Sequence, residues 1–280
     1  MPNDDDGFRP IFDGVSLAGW HAVPRHNAPR VPGDPWPSRD TEAWRQADAH
    51  PAKWTVEDGA IVGRQDPPGS GLGGYLVSDT TFGDFELAFE ARPDWPADTG
   101  IMVRASAVGS QGFQILLDHR KSGNIGGFYG NGIGGFHAIR FTLDTVTDAA
   151  GRPTGLTLED PATTLEPMTP DKPALLAEGA TGEEFLRAWK WDAWNEFRIT
   201  VVGAYPRIAV RINGTPIATL DAATLRHPGY DAAQVAALLG REGHIAFEVH
   251  DNDPRMGEAR WGRDAACRWR SIRLREIGAR

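Results

Sequence analysis

The sequence predicts an all-β protein, a sandwich or jelly roll of antiparallel sheets with a few short helices in its loops. Three observations carry this expectation. Short segments with alternating apolar and polar residues recur along the chain, giving about ten to thirteen strands. Turn formers are abundant, with 33 Gly and 21 Pro in 280 residues, well above ordinary usage. Large apolar side chains are also plentiful, with 10 Trp and 12 Phe, enough to fill the space between two sheets.

The elements follow in order. The opening FRPIFDGVSLAGW (8–20) sets an Asp13-Gly14 turn between large apolar residues. Residues 24–54 are rich in Pro, Trp and Arg and lack alternation. They read as a long loop, and loops of that length in compact domains usually serve a site. From KWTVEDGAIVGRQ (53–65) the period becomes two, with Asp58-Gly59 as a hairpin turn. In GDFELAFEAR, Phe85, Leu87 and Phe89 oppose Glu86, Ala88 and Glu90. In GIMVRAS, Ile101 and Val103 oppose Met102 and Arg104. In GFQILLDHR, Phe113, Ile115 and Leu117 oppose Gln114, Leu116 and Asp118. NEFRITVVGAYPRIAVRINGTPIATL gives two alternating strands and, after the Asn213-Gly214 turn, a third. GHIAFEVHD (243–251) and RWRSIRLREI (268–277) supply the last strands. Thr181 followed by Glu184 has the capping-box spacing and starts a helix over 181–190. Asp231 and Gly240 bracket a second helix as N-cap and C-terminal stop. Residues 144–180, rich in Thr, Pro and Asp, are expected to wander across the surface. The simplest division is one domain over 1–280, with 24–52 and 120–190 as elaborated loops.

Composition narrows the function. A formal charge of −9 leaves no excess of Lys and Arg to displace counterions from a nucleic acid, so no such partner is expected. Cys267 is the single cysteine, which removes an internal disulfide and a Cys-based zinc site. The opening MPNDDDGFRP has neither a basic start nor an apolar run, and no long apolar stretch follows. The expectation is a soluble cytoplasmic protein with no membrane partner; whether it forms a homo-oligomer stays open.

The strand GHIAFEVHDND carries the most chemical information. Side chains alternate faces along a strand, so Ile245, Phe247 and Val249 share one face while His244, Glu248 and His250 share the other. Titratable groups on one face are costly unless solvated or functional, and a solvated outer sheet face is the plain alternative. Asp251, Asn252 and Asp253 follow; such oxygens can hold a hard cation (Ca, Mn or Mg), and they are also what an ordinary turn contains. The segment LLDHRKSGNIGGFYGNGIGGFHA is dense in glycine from Gly123 to Gly135. Glycine permits positive φ and close backbone approach, which suits a loop folded over a small polar ligand, although a solvent loop can also be glycine-rich. Asp118, His119, Tyr129, Asn131 and His137 stand around it. Nucleotide-phosphate, GxSxG, HExxH and paired CxxC motifs are missing. Glu90 and Arg104 are either ordinary outward charges or members of the same polar face as Glu248 and His250. Tryptophans 36, 44, 95 and 261 lie in polar or Pro-rich loops, where they either stack on sugar rings or cover the core edge.

Several of these segments together resemble the 3-keto-disaccharide hydrolase domain family. IFDGVSLAGW, WTVEDGAIVG, FGDFELAFEAR, DTGIMVRA, WNEFRITVVG, INGTPIA, GHIAFEVHD and CRWRSIRLREI match its pattern in order, over nearly the whole chain. The chain departs from the pattern in three places. Glu248 stands where the family commonly has Gln, GFQILLDHR replaces a strand of different polar content, and 120–190 is longer. The resemblance therefore points to a distinct subfamily.

That resemblance implies a concanavalin A-like jelly roll acting on 3-keto-glycosides. A ketone at C3 acidifies the C2 proton, so a base can remove it and the C1 substituent can leave by β-elimination, with water adding afterwards. The chemistry requires a base, an electrophile at the C3 oxygen and an acid for the leaving oxygen; a divalent ion could serve as the electrophile. His250, matching the family's histidine, is the candidate base, with Glu248, Asp118, His119 and Arg104 the further catalytic candidates. Glu90, Gln114, Tyr129, Asn131, His137 and Trp261 are the candidates for binding the carbohydrate. A non-catalytic carbohydrate-binding jelly roll is the rival reading, and a structural sandwich with a filled face is a third.

Overall fold

A computed structural model describes residues 7–253 and 255–278. The described residues form two large antiparallel sheets, one of nine strands and one of seven, with a separate two-stranded ribbon. This is the jelly-roll sandwich that the alternating segments predict.

The nine-stranded sheet runs in the order Glu178–Gly179, Thr215–Asp221, Arg207–Ile212, Asn195–Val202, Phe85–Pro93, Cys267–Glu276, Ala60–Arg64 and Lys53–Glu57, with Arg9–Pro10 added beside Cys267–Glu276. The seven-stranded sheet runs His137–Ala138, Ile125–Asn131, Gly112–Asp118, Asp98–Ala105, His244–Val249, Gly74–Ser78 and Trp20–Pro24. Leu143–Thr147 and Pro153–Leu158 make the ribbon.

Alternation decides what lies between the sheets. Phe85, Leu87 and Phe89 from one sheet and Ile101, Phe113, Phe128 and Phe247 from the other are all buried in a single core. Phe247 tilts over Trp269 with ring centroids 4.9 Å apart, and Phe89 stacks on Phe197 at 5.2 Å. Each such aromatic pair adds about 0.5–1.5 kcal/mol beyond its buried area. Outward positions of the nine-stranded sheet carry a ladder of ions instead. Glu90 lies opposite Arg270 in the register and accepts from its Nε at 2.8 Å, and Glu86 pairs with Arg275. Glu90 therefore belongs to the outer surface of the sheet that does not bear the site, and its expected place in the polar face is corrected. Alternation gives a residue's face but not which sheet that face belongs to.

Arg104 is corrected as well. The ladder between His244–Val249 and Asp98–Ala105 shifts register between His244 and Ala246, and Arg104 takes φ +49°. This irregularity turns the guanidinium away from the face of Glu248 and His250. Arg104 is 1% exposed and donates from Nη2 to Asp84 Oδ1 at 3.0 Å and to the Gly203 carbonyl at 3.2 Å. It ties the two sheets together rather than facing a ligand.

The helices are short. Gly182–Ala188 has the capping box, with Glu184 N donating to Thr181 Oγ1 and Thr181 N donating to Glu184 Oε2 at 2.7 Å. Ala232–Leu239 begins at Asp231 and stops at Gly240, whose φ of +70° suits a residue without Cβ. A helix over Glu42–Ala49, capped by Thr41, lies inside the long loop and breaks the expectation of irregular chain there. The glycine-rich segment also differs from expectation. Most of it is the strand Ile125–Asn131, paired to Gly112–Asp118, and its glycines allow close packing. A Cβ on Gly130 would lie 2.3 Å from the Phe136 ring. Among the described residues no helix is long and apolar enough to cross a membrane.

Candidate active site

A cavity of about 540 Å³ opens on the outer face of the seven-stranded sheet. Alternation builds its floor. Leu76, Ile115, Leu117 and Phe128 point into the core, so Tyr75, Gln114, Asp118, Tyr129 and Asn131 point the other way. The strap after Trp20–Pro24 adds Arg25, and the chain after His244–Val249 adds His250 and Asp251. Arg120 and Arg260 complete a wall of guanidinium groups.

Asp98 and Asp118 are direct partners across neighbouring strands, each 5% exposed. Two buried carboxyls this close cannot both ionise cheaply. Burial and the neighbouring Asp98 push the Asp118 carboxyl well above the usual carboxylate range. Burial also works against a charged Asp98, but His250, Arg120 and Arg260 outweigh it and hold that carboxyl below its usual value. The two carboxyls are thus shifted in opposite directions, Asp118 towards the acid and Asp98 towards the carboxylate.

The guanidiniums surround that pair. Arg120 places Nη2 3.1 Å from Asp118 Oδ2 and Nε 3.5 Å from Asp98 Oδ2. Arg260 places Nε 3.4 Å from Asp98 Oδ2. Both Nε atoms are buried and neither makes a hydrogen bond. Each lies at ion-pair distance from Asp98 Oδ2 but outside hydrogen-bond geometry.

His250 sits between the arginines. Its Nε2 is 2.9 Å from Arg25 Nη2, and its Nδ1 is 2.7 Å from the Asp251 carbonyl oxygen. Arginine can only donate and a carbonyl can only accept. When the ring is neutral, the network therefore assigns the proton to Nδ1 and the lone pair to Nε2. Arg25 Nη1 also reaches Asp251 Oδ1 at 2.5 Å. Burial opposes ionisation of Asp251, but Arg25 and His250 prevail and hold its carboxyl below the ordinary range.

Glu248 lies beneath this floor rather than in the cavity. It is 0% exposed; its Oε1 accepts from Arg25 Nε at 2.7 Å and from Tyr75 OH at 3.1 Å, and its Oε2 accepts from Gln114 Nε2 at 2.5 Å. With its oxygens engaged, Glu248 fixes Arg25, Tyr75 and Gln114 in place. Asn131 Nδ2 donates to Tyr75 OH at 3.2 Å and extends the network across the sheet. Burial raises the Tyr75 hydroxyl pKa well above its ordinary value, and Glu248 adds to the shift, so it stays a donor. Burial likewise pushes His137 down to about 4, so its ring is neutral.

Of the residues that the sequence selects, His250, Asp118, Gln114, Tyr129, Asn131 and His137 line this one cavity. Two others are placed differently. His119 follows Asp118 and so points to the opposite side, where it packs against Trp95 and Trp191 in a separate cleft. Trp261 is wholly buried with Nε1 donating to the Ala265 carbonyl at 3.1 Å, so it offers no ring face to a sugar. Sequence reasoning missed Arg25, Asp98, Arg120 and Arg260, and read Asp251 as a cation ligand or a turn residue rather than as Arg25's partner. The available signal was Asp98 and Asp118 at matching ends of two adjacent strand patterns.

A divalent cation does not fit the residues present. Among the described residues no group of three His, Cys, Asp or Glu side chains is arranged to hold a metal ion. The carboxylates that could supply its oxygens face guanidiniums instead, Asp98 with Arg120 and Arg260, Asp118 with Arg120, and Asp251 with Arg25.

The chain is similar in sequence and fold to several known proteins. A 3-keto-disaccharide hydrolase from Bacteroides thetaiotaomicron is 30% identical over 114 residues, which is 40% of this chain and 32% of that protein. The match thus spans about a third of the relative's length. Among solved structures, a Parabacteroides distasonis protein provisionally described as a glycosyl hydrolase aligns over 99% of this chain and 98% of its own, at 12% identity and a TM-score of 0.47. A carbohydrate-binding module from Bacillus subtilis aligns over 80% and 92%, at 11% identity and a TM-score of 0.41. Residues 7–275 match one family model nearly end to end, and the chain belongs to the 3-keto-alpha-glucoside-1,2-lyase-like domain family.

Proposed function

We propose that the chain cleaves the glycosidic bond of 3-keto-glycosides by removing the C2 proton and expelling the C1 substituent. The observation that carries this reading is the buried, directly paired Asp98 and Asp118 carboxyls, beside an imidazole and the guanidiniums of Arg120 and Arg260 in one cavity. Elimination from a 3-keto sugar needs those three kinds of group together.

His250 is the base. Arrival of a sugar hydroxyl at Arg25 would draw the guanidinium from Nε2 and free the lone pair for the C2 proton. The electrons of the C2–H bond move into C2–C3, and negative charge develops on the C3 oxygen. The guanidinium groups of Arg120 and Arg260, which line the cavity, are the donors for that charge. The electron pair then returns, the C1–O bond breaks, and Asp118 gives its proton to the leaving oxygen. The products are an alcohol and a sugar enone, and water added across the enone makes the net reaction a hydrolysis. Asp98 stays ionised and keeps the arginines in place.

The test uses two glucosides with the same aglycone, one with the C3 ketone and one with the ordinary hydroxyl. The reading expects release from the keto sugar alone, because only there is the C2 proton acidified. Equal cleavage of both would mean direct hydrolysis and would refute it. Binding of the keto sugar without any release would favour a carbohydrate-binding protein instead.

A further inference from the structure

A second cleft, of about 270 Å³, lies back to back with the first cavity: Asp118 lines the cavity and its neighbour His119 lines the cleft. Three tryptophans line it, Trp95, Trp189 and Trp191. The Trp95 and Trp191 rings are 6.3 Å apart, tilted by 46°, and each packs against His119, at 5.1 and 5.8 Å. Both indoles keep part of their surface in solvent.

Two polar atoms at this cleft have no partner. His119 is 2% exposed, and its Nε2 lies 3.1 Å from the Asp94 carbonyl oxygen, which can only accept. That bond places the proton on Nε2, with the Ala97 N–H farther off at 3.5 Å, and leaves Nδ1 as an acceptor without a hydrogen bond. Trp189 Nε1 is a buried donor, also without a hydrogen bond. A buried donor such as Trp189 Nε1 is nearly always satisfied, by protein, water or ligand.

We propose that this cleft is a second, non-catalytic carbohydrate site holding one pyranose ring. The apolar C–H face of the sugar lies against the indoles, and its hydroxyls donate to His119 Nδ1 and accept from Trp189 Nε1. The volume of about 270 Å³ falls just below that of drug-sized ligand pockets, about 300–1,000 Å³, which suits a single ring. A plain aromatic ring would stack as well but would leave both polar atoms unsatisfied. The inference is independent of the reaction proposed above.

Methyl α-D-glucopyranoside, which has no ketone, tests it by calorimetry and tryptophan fluorescence on the whole chain. Saturable one-to-one binding at millimolar sugar is expected. Trp191→Ala should weaken it about thirtyfold or more, and His119→Leu about tenfold. Trp191→Phe, which keeps an aromatic face, should recover part of the loss, separating loss of stacking from loss of fold. His250→Gln should leave this affinity intact. No binding, loss of binding in His250→Gln, or tighter binding of phenol than of the sugar would each overturn the proposal.

Discussion

Asp118 bears the sharpest chemical consequence at the residue scale, because burial and a like charge act on it in the same direction. A carboxyl whose pKa is raised in this way is suited to act as an acid toward the leaving oxygen. Asp118→Asn should therefore lower the rate about 10²–10⁴-fold for an alkyl 3-keto-glucoside, and far less for a nitrophenyl one, whose leaving oxygen needs no proton. In wild type the alkyl rate should fall as pH rises through the raised Asp118 pKa, and the variant should lose that limb. Pre-steady-state release of the two alcohols measures both effects; an equal loss for both leaving groups would remove Asp118 from the acid role.

The same scale shows what alternation can reveal. His250 and Asp118 were legible because each is a polar member of an otherwise apolar strand pattern, or lies just beyond its end. Glu248 was legible as a charge on the polar face of its strand, but its partners were not, since Arg25 arrives from a segment more than two hundred residues away in sequence. Arg104 misled because one residue at φ +49° inverts the face that a strict period of two assigns. His119 misled because neighbouring residues on an extended chain face opposite sides.

At the scale of elements, the turn after Gly112–Asp118 controls the acid. Gly123 N donates to the Arg120 carbonyl at 2.9 Å, closing the turn around Arg120. A Cβ on Gly123 would lie 2.4 Å from the Asp118 carbonyl oxygen and 2.7 Å from its Oδ1. No real Cβ tolerates this, so Gly123→Ala should displace Asp118 and Arg120 together. The expected result is loss of turnover comparable to Asp118→Asn, with the far-UV spectrum and the core unchanged. Wild-type turnover in Gly123→Ala would show that the carboxyl's position does not matter. The long segment 24–52 was legible as serving a site from its length, whereas its helix Glu42–Ala49 was hidden by the surrounding prolines. The strand Ile125–Asn131 was hidden by its glycines, which sequence patterns read as loop even though close packing calls for them.

At the scale of the whole molecule, buried neutral histidine makes stability depend on pH. Burial lowers His119 from 6.5 to about 4. The unfolded chain then binds a proton that the folded chain refuses, so stability falls as pH drops from about 6.5 towards about 4. Between pH 7 and 5 this contribution is about 2 kcal/mol. Asp118 titrates with the opposite sign, so the comparison must be made against His119→Gln at each pH. Urea midpoints should show the wild type losing more stability than the variant over this interval; parallel curves would mean that His119 is not buried neutral. The sandwich itself was legible from the recurrent alternation, because a half-buried strand leaves a period-two record in its sequence. The guanidinium wall was not, because its members come from loops, where no period marks them.

The central claim is that the bond to C1 breaks only after the C2 proton leaves, and a C2-deuterated 3-keto-glucoside tests it most directly. Aglycone release should be slower from the deuterated sugar than from the protiated one. The deuteron should appear in solvent in step with release, and His250→Gln should suppress both. Equal rates for the two isotopologues, with deuterium still at C2 in the released sugar, would show that C1 is cleaved without touching C2 and would contradict the mechanism.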